Sequence, residues 1–374
     1  MVDTEKFYEY LVNHDLDFFT GVPDSLLKEL CACIKDKSNN KHNIIAANEG
    51  NAVGLAAGYH LSTGKLGVVY MQNSGEGNAV NPLMSLADLK VYSIPMLLII
   101  GWRGEPGVHD EPQHVKQGEV TLKLLEAMDI EYRILSDNFE EDLKYLISLA
   151  KSDNKPVALV IRKGTFSKYS PINKDKAVMG ELLREEALDV ILKEIGDDMV
   201  VSTTGKESRE IFELREKHGQ GHEHDFLTVG SMGHTSSIAL GVSIGTNRNV
   251  WCLDGDGSFI MHMGGLAIAG VNAGSNLKYV INNNAAHESV GGQPTVSDKI
   301  DIKSILKACG FSSTYEARTK EEIKDSINKM KKEGKCALIL YTKQGSREDL
   351  GRPTTTPIQN KVAFMNEIKK QWKH

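Results

Sequence analysis

Short apolar runs alternate along the chain with amphipathic stretches, the pattern of a parallel β-sheet covered by helices. Strands are predicted at residues 44–47, 67–71, 96–100, 157–161, 199–202, 250–254, 278–282 and 337–341. Helical spacing fills residues 4–13, 50–62, 140–150, 181–195 and 320–332. A polar stretch at 164–179, with Pro171 and several lysines, divides the chain into two α/β halves. The expected organisation is a first domain at 1–165, a linker at 166–180 and a second domain at 181–374. No low-complexity segment or solenoid repeat interrupts it.

Length agrees, since 374 residues suit two domains that each bury a core. The net charge of −6 and the lack of a basic stripe argue against a nucleic-acid partner. An anionic substrate stays open, because a site needs only local positive charge. The first ten residues are acidic and lack the apolar core of a signal peptide. The longest apolar stretch, 91–102, is broken by Ser93 and Pro95 and is too short to span a bilayer. Five irregularly spaced cysteines read as reduced, buried thiols, so no membrane partner and a cytoplasmic location are expected.

The chemistry-bearing residues gather at strand ends. In the second half the run 250–253 leads into Asp254-Gly255-Asp256-Gly257-Ser258, and a helical stretch follows. Such a turn exposes backbone N–H groups and one carboxylate at the sheet's carboxyl edge. That suits a divalent cation bridging two phosphates. The next strand ends in Asn282-Asn283-Asn284, where an amide oxygen would join the same cation without adding charge. A third loop, Ser202-Thr203-Thr204-Gly205-Lys206, offers hydroxyl and N–H donors to a diphosphate. His222-Glu223-His224 lacks further ligands and reads as solvent-exposed.

Gly255-Asp256-Gly257, followed about 25 residues later by the Asn pair, resembles the signature of thiamine-diphosphate enzymes. The resemblance implies thiamine diphosphate and Mg²⁺ as cofactors. Asp256, Asn283 and the Ala285 carbonyl would be the metal ligands, and Gly255, Gly257 and Ser258 would line the cofactor with Thr204 and Gly205. Asn283 is chosen because the family's pair follows directly on the strand, which ends here at Ile281; a register one later would give Asn284. Gly230, Ser231 and Met232 resemble the loop that holds the cofactor bent, with Met232 as the apolar support. His287, just behind the metal ligands, is a candidate acid/base residue.

In the first half, Asn48-Glu49-Gly50-Asn51-Ala52 puts a carboxylate at a strand-to-helix turn among small residues, where a flat ring can approach. The plain alternative is a helix-start acid favoured by the macrodipole. Residues 49–88 resemble the pyrimidine-binding domain of the same family, which makes Glu49 the activating acid and puts Asn73 and Gly75 against the cofactor. Glu76 stands where relatives carry an uncharged residue, so its carboxyl is expected to point outward or the loop to differ. The fold implied is two thiamine-diphosphate-binding α/β domains, pyrimidine-binding then diphosphate-binding, without a middle domain. The family resemblance further implies a homo-oligomer with active sites between subunits.

Segments 20–25, 101–107 with 110–114, 287–295 and 345–353 resemble family members that decarboxylate a 2-keto acid bearing a phosphonate, in phosphonate synthesis. For such a small-molecule partner Arg103, His109 and His114 are the candidate cationic groups, with Ser25 and Asn73 as neutral partners. The competing readings are a sulfonate-bearing keto acid, a non-catalytic thiamine-diphosphate module, and a nicotinamide dehydrogenase. The module should have lost Glu49, and the dehydrogenase lacks its glycine fingerprint here.

Overall fold

The computed structural model describes residues 1–39, 41–172 and 177–370. The chain forms two compact units, Met1–Asp175 together with Val290–Gln293, and Lys176–Ser289 together with Pro294–His374. The first is built on β1 (Phe18–Gly21), β2 (Asn43–Ile45), β3 (Gly67–Gln72), β4 (Met96–Gly101), β5 (Glu131–Ile134) and β6 (Val157–Ile161). These form one parallel sheet in the order β2-β1-β3-β4-β6-β5. Its helices are α1 (Thr4–Asn13), α2 (Lys28–Lys37), α3 (Glu49–Thr63), α4 (Glu76–Pro82), α5 (Pro112–Ala127) and α6 (Phe139–Asp153).

Alternate residues of each central strand serve opposite faces. Val68, Tyr70, Leu97 and Ile99 pack into one apolar cluster, whereas Val69, Met71, Leu98 and Ile100 pack into the other. Phe166 and Tyr169, within the stretch expected to link the halves, are buried in the first of these clusters.

The second unit holds β7 (Met199–Ser202), β8 (Asp225–Leu227), β9 (Val250–Gly255), β10 (Leu277–Asn283), the short strand β11 (Ala286–His287), β13 (Ser313–Ala317) and β14 (Cys336–Tyr341); β12 is the short strand Gln293–Pro294. Its main sheet runs β13-β14-β10-β9-β7-β8, all parallel. Read from β8, this is the strand order of the first sheet. In both sheets the chain reverses direction between its first and third strands, which opens a crevice at their carboxyl ends. The core again divides by face, Trp251 and Leu253 against Val250 and Cys252.

The five cysteines are unpaired, and Cys31, Cys33, Cys252 and Cys336 are buried. Among the described residues no helix is long and apolar enough to cross a membrane.

Candidate active site

At the end of β9, Gly255 leads into the helix Asp256–Met261, so Asp256 stands at the sheet's carboxyl edge. It is buried, and its Oδ2 accepts hydrogen bonds from the hydroxyls of Thr295 and Ser297. Ser297 Oγ also lies 2.8 Å from Asn283 Oδ1. The single proton of Ser297 cannot serve both acceptors, so oxygens outnumber donors at this point. Asn283 is fully buried and its Nδ2 has no partner. Burial pushes the Asp256 carboxyl up to about 6, because its neighbours are hydroxyls and not cations.

A buried oxygen cluster with surplus lone pairs fits a hard divalent cation. Asn284 faces elsewhere. Its amide donates to Glu288 at 2.9 Å and its Oδ1 accepts from the N–H of Ala286 at 3.0 Å. Ala285 adopts a left-handed backbone with φ of 55°, which sets its carbonyl to accept from Thr295 N. A non-glycine residue is held in that region only at a cost of about 1–3 kcal/mol, and such strain clusters at functional positions.

The remaining loops of this edge converge on the same place. Gly205, with φ of 97°, precedes the helix Lys206–Lys217 and leaves no room for a side chain, since a Cβ would stand 2.9 Å from Ser289 Oγ. Thr204 Oγ1 donates to the Val229 carbonyl, and Gly233 N donates to Ser258 Oγ at 3.0 Å, which ties the loop of Gly230, Ser231 and Met232 to its neighbours. A Cβ on Gly257 would lie 2.9 Å from His287 Nδ1 and 3.2 Å from Met232 Cε. Met232, Gly257 and His287 are therefore one cluster. Desolvation lowers the His287 imidazole to about 4 and keeps it neutral. The following Glu288 is fixed by Arg184 at 3.2 Å and Lys206 at 3.0 Å.

In the first unit, Asn48 caps α3 by accepting from Asn51 N, which places Glu49 at the first helical position, buried. Asn78 Nδ2 donates to Glu49 Oε2 at 2.8 Å. A Cβ on Gly75 would overlap the Glu49 carboxylate at 2.2 Å. Gly75→Ala is thus expected to displace Glu49 and cut turnover roughly 100-fold, with secondary structure by circular dichroism unchanged. Unaltered turnover would mean that the Glu49 position is unimportant.

The structure brings Ser25, Asn73, Arg103 and His114 together and leaves His109 apart, exposed in its loop. Arg103 donates through Nε and Nη2 to Asp110 and through Nη1 to Ser25 at 2.9 Å. Its backbone exchanges hydrogen bonds with the Asn73 amide. Arg103 is therefore neutralised by Asp110, with one N–H left on each Nη. Burial and the Arg103 charge lower the His114 imidazole.

Two expectations need correction. Glu76 does not point outward but is buried, because α5 closes over its side of the turn. His222 is half-buried, not solvent-exposed, since its ring stacks on Phe212 at 3.8 Å. Asn78, Asp110 and Thr295 fall in segments that the sequence singles out but had no role of their own there, and Thr121 and Ser297 lie outside any motif.

The profile of the thiamine pyrophosphate enzyme N-terminal TPP binding domain matches residues 3–125, and that of the C-terminal TPP binding domain matches residues 204–340. Over 360 residues the chain is 33% identical to the phosphonopyruvate decarboxylase of Streptomyces viridochromogenes, covering 91% of this chain and 88% of that protein. The chain belongs to the thiamine pyrophosphate enzyme family. This thiamine pyrophosphate enzyme is also 32% identical to a phosphonopyruvate decarboxylase of Streptomyces hygroscopicus, over 94% of this chain and 90% of that one. It is 28% identical to a sulfopyruvate decarboxylase of Methanosarcina acetivorans, over 87% of each. Its cofactor is thiamine diphosphate, synonymous with thiamine pyrophosphate, and its two TPP-binding domains are joined without a middle domain.

Proposed function

We propose that this enzyme decarboxylates 3-phosphonopyruvate to phosphonoacetaldehyde and CO₂, an irreversible step of phosphonate synthesis, using Mg²⁺ beside thiamine diphosphate. The observation that carries the substrate is similarity over more than nine-tenths of the chain to two proteins of that activity. Similarity to sulfopyruvate decarboxylase, lower in identity, makes the sulfonate analogue the second reading.

When bound, thiamine diphosphate supplies the electron sink for the pair left behind by CO₂. Glu49 is assigned the proton exchanged with the cofactor's pyrimidine ring. Its burial beside Asn78 excludes water and would strengthen a hydrogen bond to that ring. Asp256, Asn283 and the Ala285 carbonyl are assigned to Mg²⁺. Thr204, Gly205, Gly230, Ser231, Gly255, Gly257 and Ser258 are assigned to the diphosphate end, with Met232 supporting the rings, and Asn73 and Gly75 lie on the pyrimidine-binding side. The resting imidazole of His287 is neutral, so it can accept a proton, becoming a cation, and then return it. Ser25, Asn73, Arg103 and His114 form the group proposed to meet the phosphonate; His109 would have to approach from its exposed loop.

A homo-oligomer in which the first domain of one subunit works with the second domain of another belongs to this reading. Sulfopyruvate decarboxylase of Methanococcus maripaludis supports it, since alpha and beta subunits exist there as separate proteins, each similar to a part of this chain.

With thiamine diphosphate and Mg²⁺ supplied, CO₂ release from phosphonopyruvate is expected to exceed that from sulfopyruvate or pyruvate by at least about tenfold in kcat/KM. A phosphonate dianion carries one charge more than a sulfonate, and the N–H groups that Asp110 and Ser25 leave on Arg103 would donate to it the more strongly. Equal or reversed rates would replace the substrate and leave the cofactor unaffected.

A further inference from the structure

Asn284, the third member of the triple at the end of β10, has no role in the reading above, and neither has Glu288. The structure joins the two. Asn284 lies between Asn283 and Ala285, the residues of this turn assigned to Mg²⁺. It is 4% exposed, and both ends of its amide are engaged. Its Oδ1 accepts from Ala286 N at 3.0 Å, and its Nδ2 donates to Glu288 Oε2 at 2.9 Å. Its carbonyl accepts from Gln344 Nε2 at 3.3 Å, on the segment that follows β14.

Glu288 is held in turn by two cations. Arg184 Nη1 donates to its Oε2 at 3.2 Å, and Lys206 Nζ to its Oε1 at 3.0 Å. Arg184 opens the helix Arg184–Ile195 and is itself fixed by both oxygens of Glu210, at 2.7 and 2.8 Å. Lys206 opens the helix Lys206–Lys217 beside Gly205 and also donates to Ser346 at 2.7 Å. One carboxylate therefore ties the turn after β10 to the starts of two helices. The side chains of Arg184, Glu210 and Glu288 are 8%, 1% and 11% exposed, so solvent screens these pairs far less than surface ones.

The turn needs such an anchor. Ala285 holds a left-handed backbone, φ 55°, which a non-glycine residue keeps only where its surroundings impose it. The bonds from Asn284 to Ala286 and Glu288 reach across that residue.

We propose that Asn284 and Glu288 are positioning residues: the Glu288 carboxylate, anchored on Arg184 and Lys206, grips the Asn284 amide and so presets the Asn283–Ala285 turn to the narrow geometry of Mg²⁺. The inference rests on the assignment of Asn283 and the Ala285 carbonyl to Mg²⁺ above. Mg²⁺ demands near-ideal octahedral coordination, whereas Ca²⁺ accepts variable geometry. A loosened turn therefore penalises Mg²⁺ more than Ca²⁺.

The test reverses the polarity of the contact between the two residues. Asn284→Asp keeps the acceptor for Ala286 N but sets an oxygen against Glu288. An added negative charge near a cation site would by itself tighten metal binding, so the anchor and plain electrostatics predict opposite signs. By calorimetry with thiamine diphosphate present, N284D should bind Mg²⁺ at least about tenfold more weakly. Its Ca²⁺ affinity should fall by no more than about threefold. Adding Glu288→Gln to N284D restores one donor facing one acceptor and should recover most of the lost Mg²⁺ affinity. Unchanged or tighter Mg²⁺ binding in N284D, an equal loss for both ions, or no recovery in the double variant overturns the proposal.

The wild type supplies a measurement that needs no variant. Amide exchange of residues 284–288 should be as slow without metal as with it. A turn that becomes protected only when Mg²⁺ binds overturns the proposal, whether or not N284D folds. Wild-type protein that binds thiamine diphosphate equally well without Mg²⁺, yet shows slow exchange that N284D accelerates, sinks the metal assignment and keeps the anchor. Protein that needs Mg²⁺ for the cofactor but exchanges fast without it does the reverse.

Discussion

Replacing Glu49 with Gln is expected to lower turnover about 1,000-fold while thiamine diphosphate still binds, because the amide keeps a hydrogen bond but cannot take up a proton. Glu49 is a strong candidate on local grounds. It is buried at the first position of α3, its Oε2 is held by Asn78, and the absence of a side chain at Gly75 lets its carboxylate lie against the turn. Glutamine fits the same space and can meet the same neighbours, so a folding defect is not part of the expectation. Steady-state CO₂ release combined with cofactor titration by calorimetry separates the two effects. An E49Q enzyme within about tenfold of wild-type turnover would remove Glu49 from the chemistry. A loss of cofactor affinity as large as the loss of turnover would reduce it to a binding residue.

That the sheet-edge positions of Glu49, Asp256 and Asn283 were legible in the sequence has a physical basis. Each stands two or three residues beyond a continuous apolar run, so its place at a sheet's carboxyl edge follows from the run. The runs themselves were recognisable where strands are buried on both faces, as in β3, β4, β6, β9, β10 and β14. The strands passed over include β5, β8 and β13. These are edge strands, with one neighbour each and partly exposed residues such as Glu131 and Arg133, so their composition does not separate them from loops. β1 was missed differently: Phe18–Gly21 is wholly buried, yet it runs straight into the Gly21–Ser25 loop and has too few residues to announce a strand.

Within the site, what escaped the sequence are contacts made by ordinary residues across long separations. Ser297 and Thr295 are unremarkable hydroxyls until the loop returns them to Asp256. The inward place of Glu76 depends on packing beneath α5, and the neutralisation of Arg103 depends on Asp110. No local pattern encodes either.

The shared strand order explains why the functional loops come in matching sets. After the first strand of each unit lie Ser25 and Thr204; after the second, Glu49 and Met232; after the third, Asn73 and Asp256; after the fourth comes Arg103 in one and, at its last residue, stands Asn283 in the other. Each sheet therefore offers the same four loops at its carboxyl edge. The chemistry differs because the second sheet places oxygens around Asp256, where the first places a carboxyl beside a small-residue turn.

Asp256→Ala is expected to weaken Mg²⁺-dependent binding of thiamine diphosphate by at least about 100-fold, since residues that merely support a metal ligand already account for 10–100-fold. In wild-type protein, saturating Mg²⁺ and cofactor should raise Tm by several degrees through linkage; in D256A the rise should vanish, and chelation should return the wild type to the apo value. Asp256→Asn discriminates a metal ligand from a structural acid. Burial lifts the Asp256 carboxyl to about 6 from 3.8, so in the apo protein the stability of its protonated form is complete below 3.8 and lost as pH rises through 6. At neutral pH the apo fold bears that cost, and D256N should relieve it by about 2–3 kcal/mol while still failing to respond to Mg²⁺. If D256N melts below wild type without metal, Asp256 is a hydrogen-bonding anchor for Thr295 and Ser297. If it melts higher and no longer responds to metal, the carboxylate is kept there, against the stability of the empty fold, for the cation.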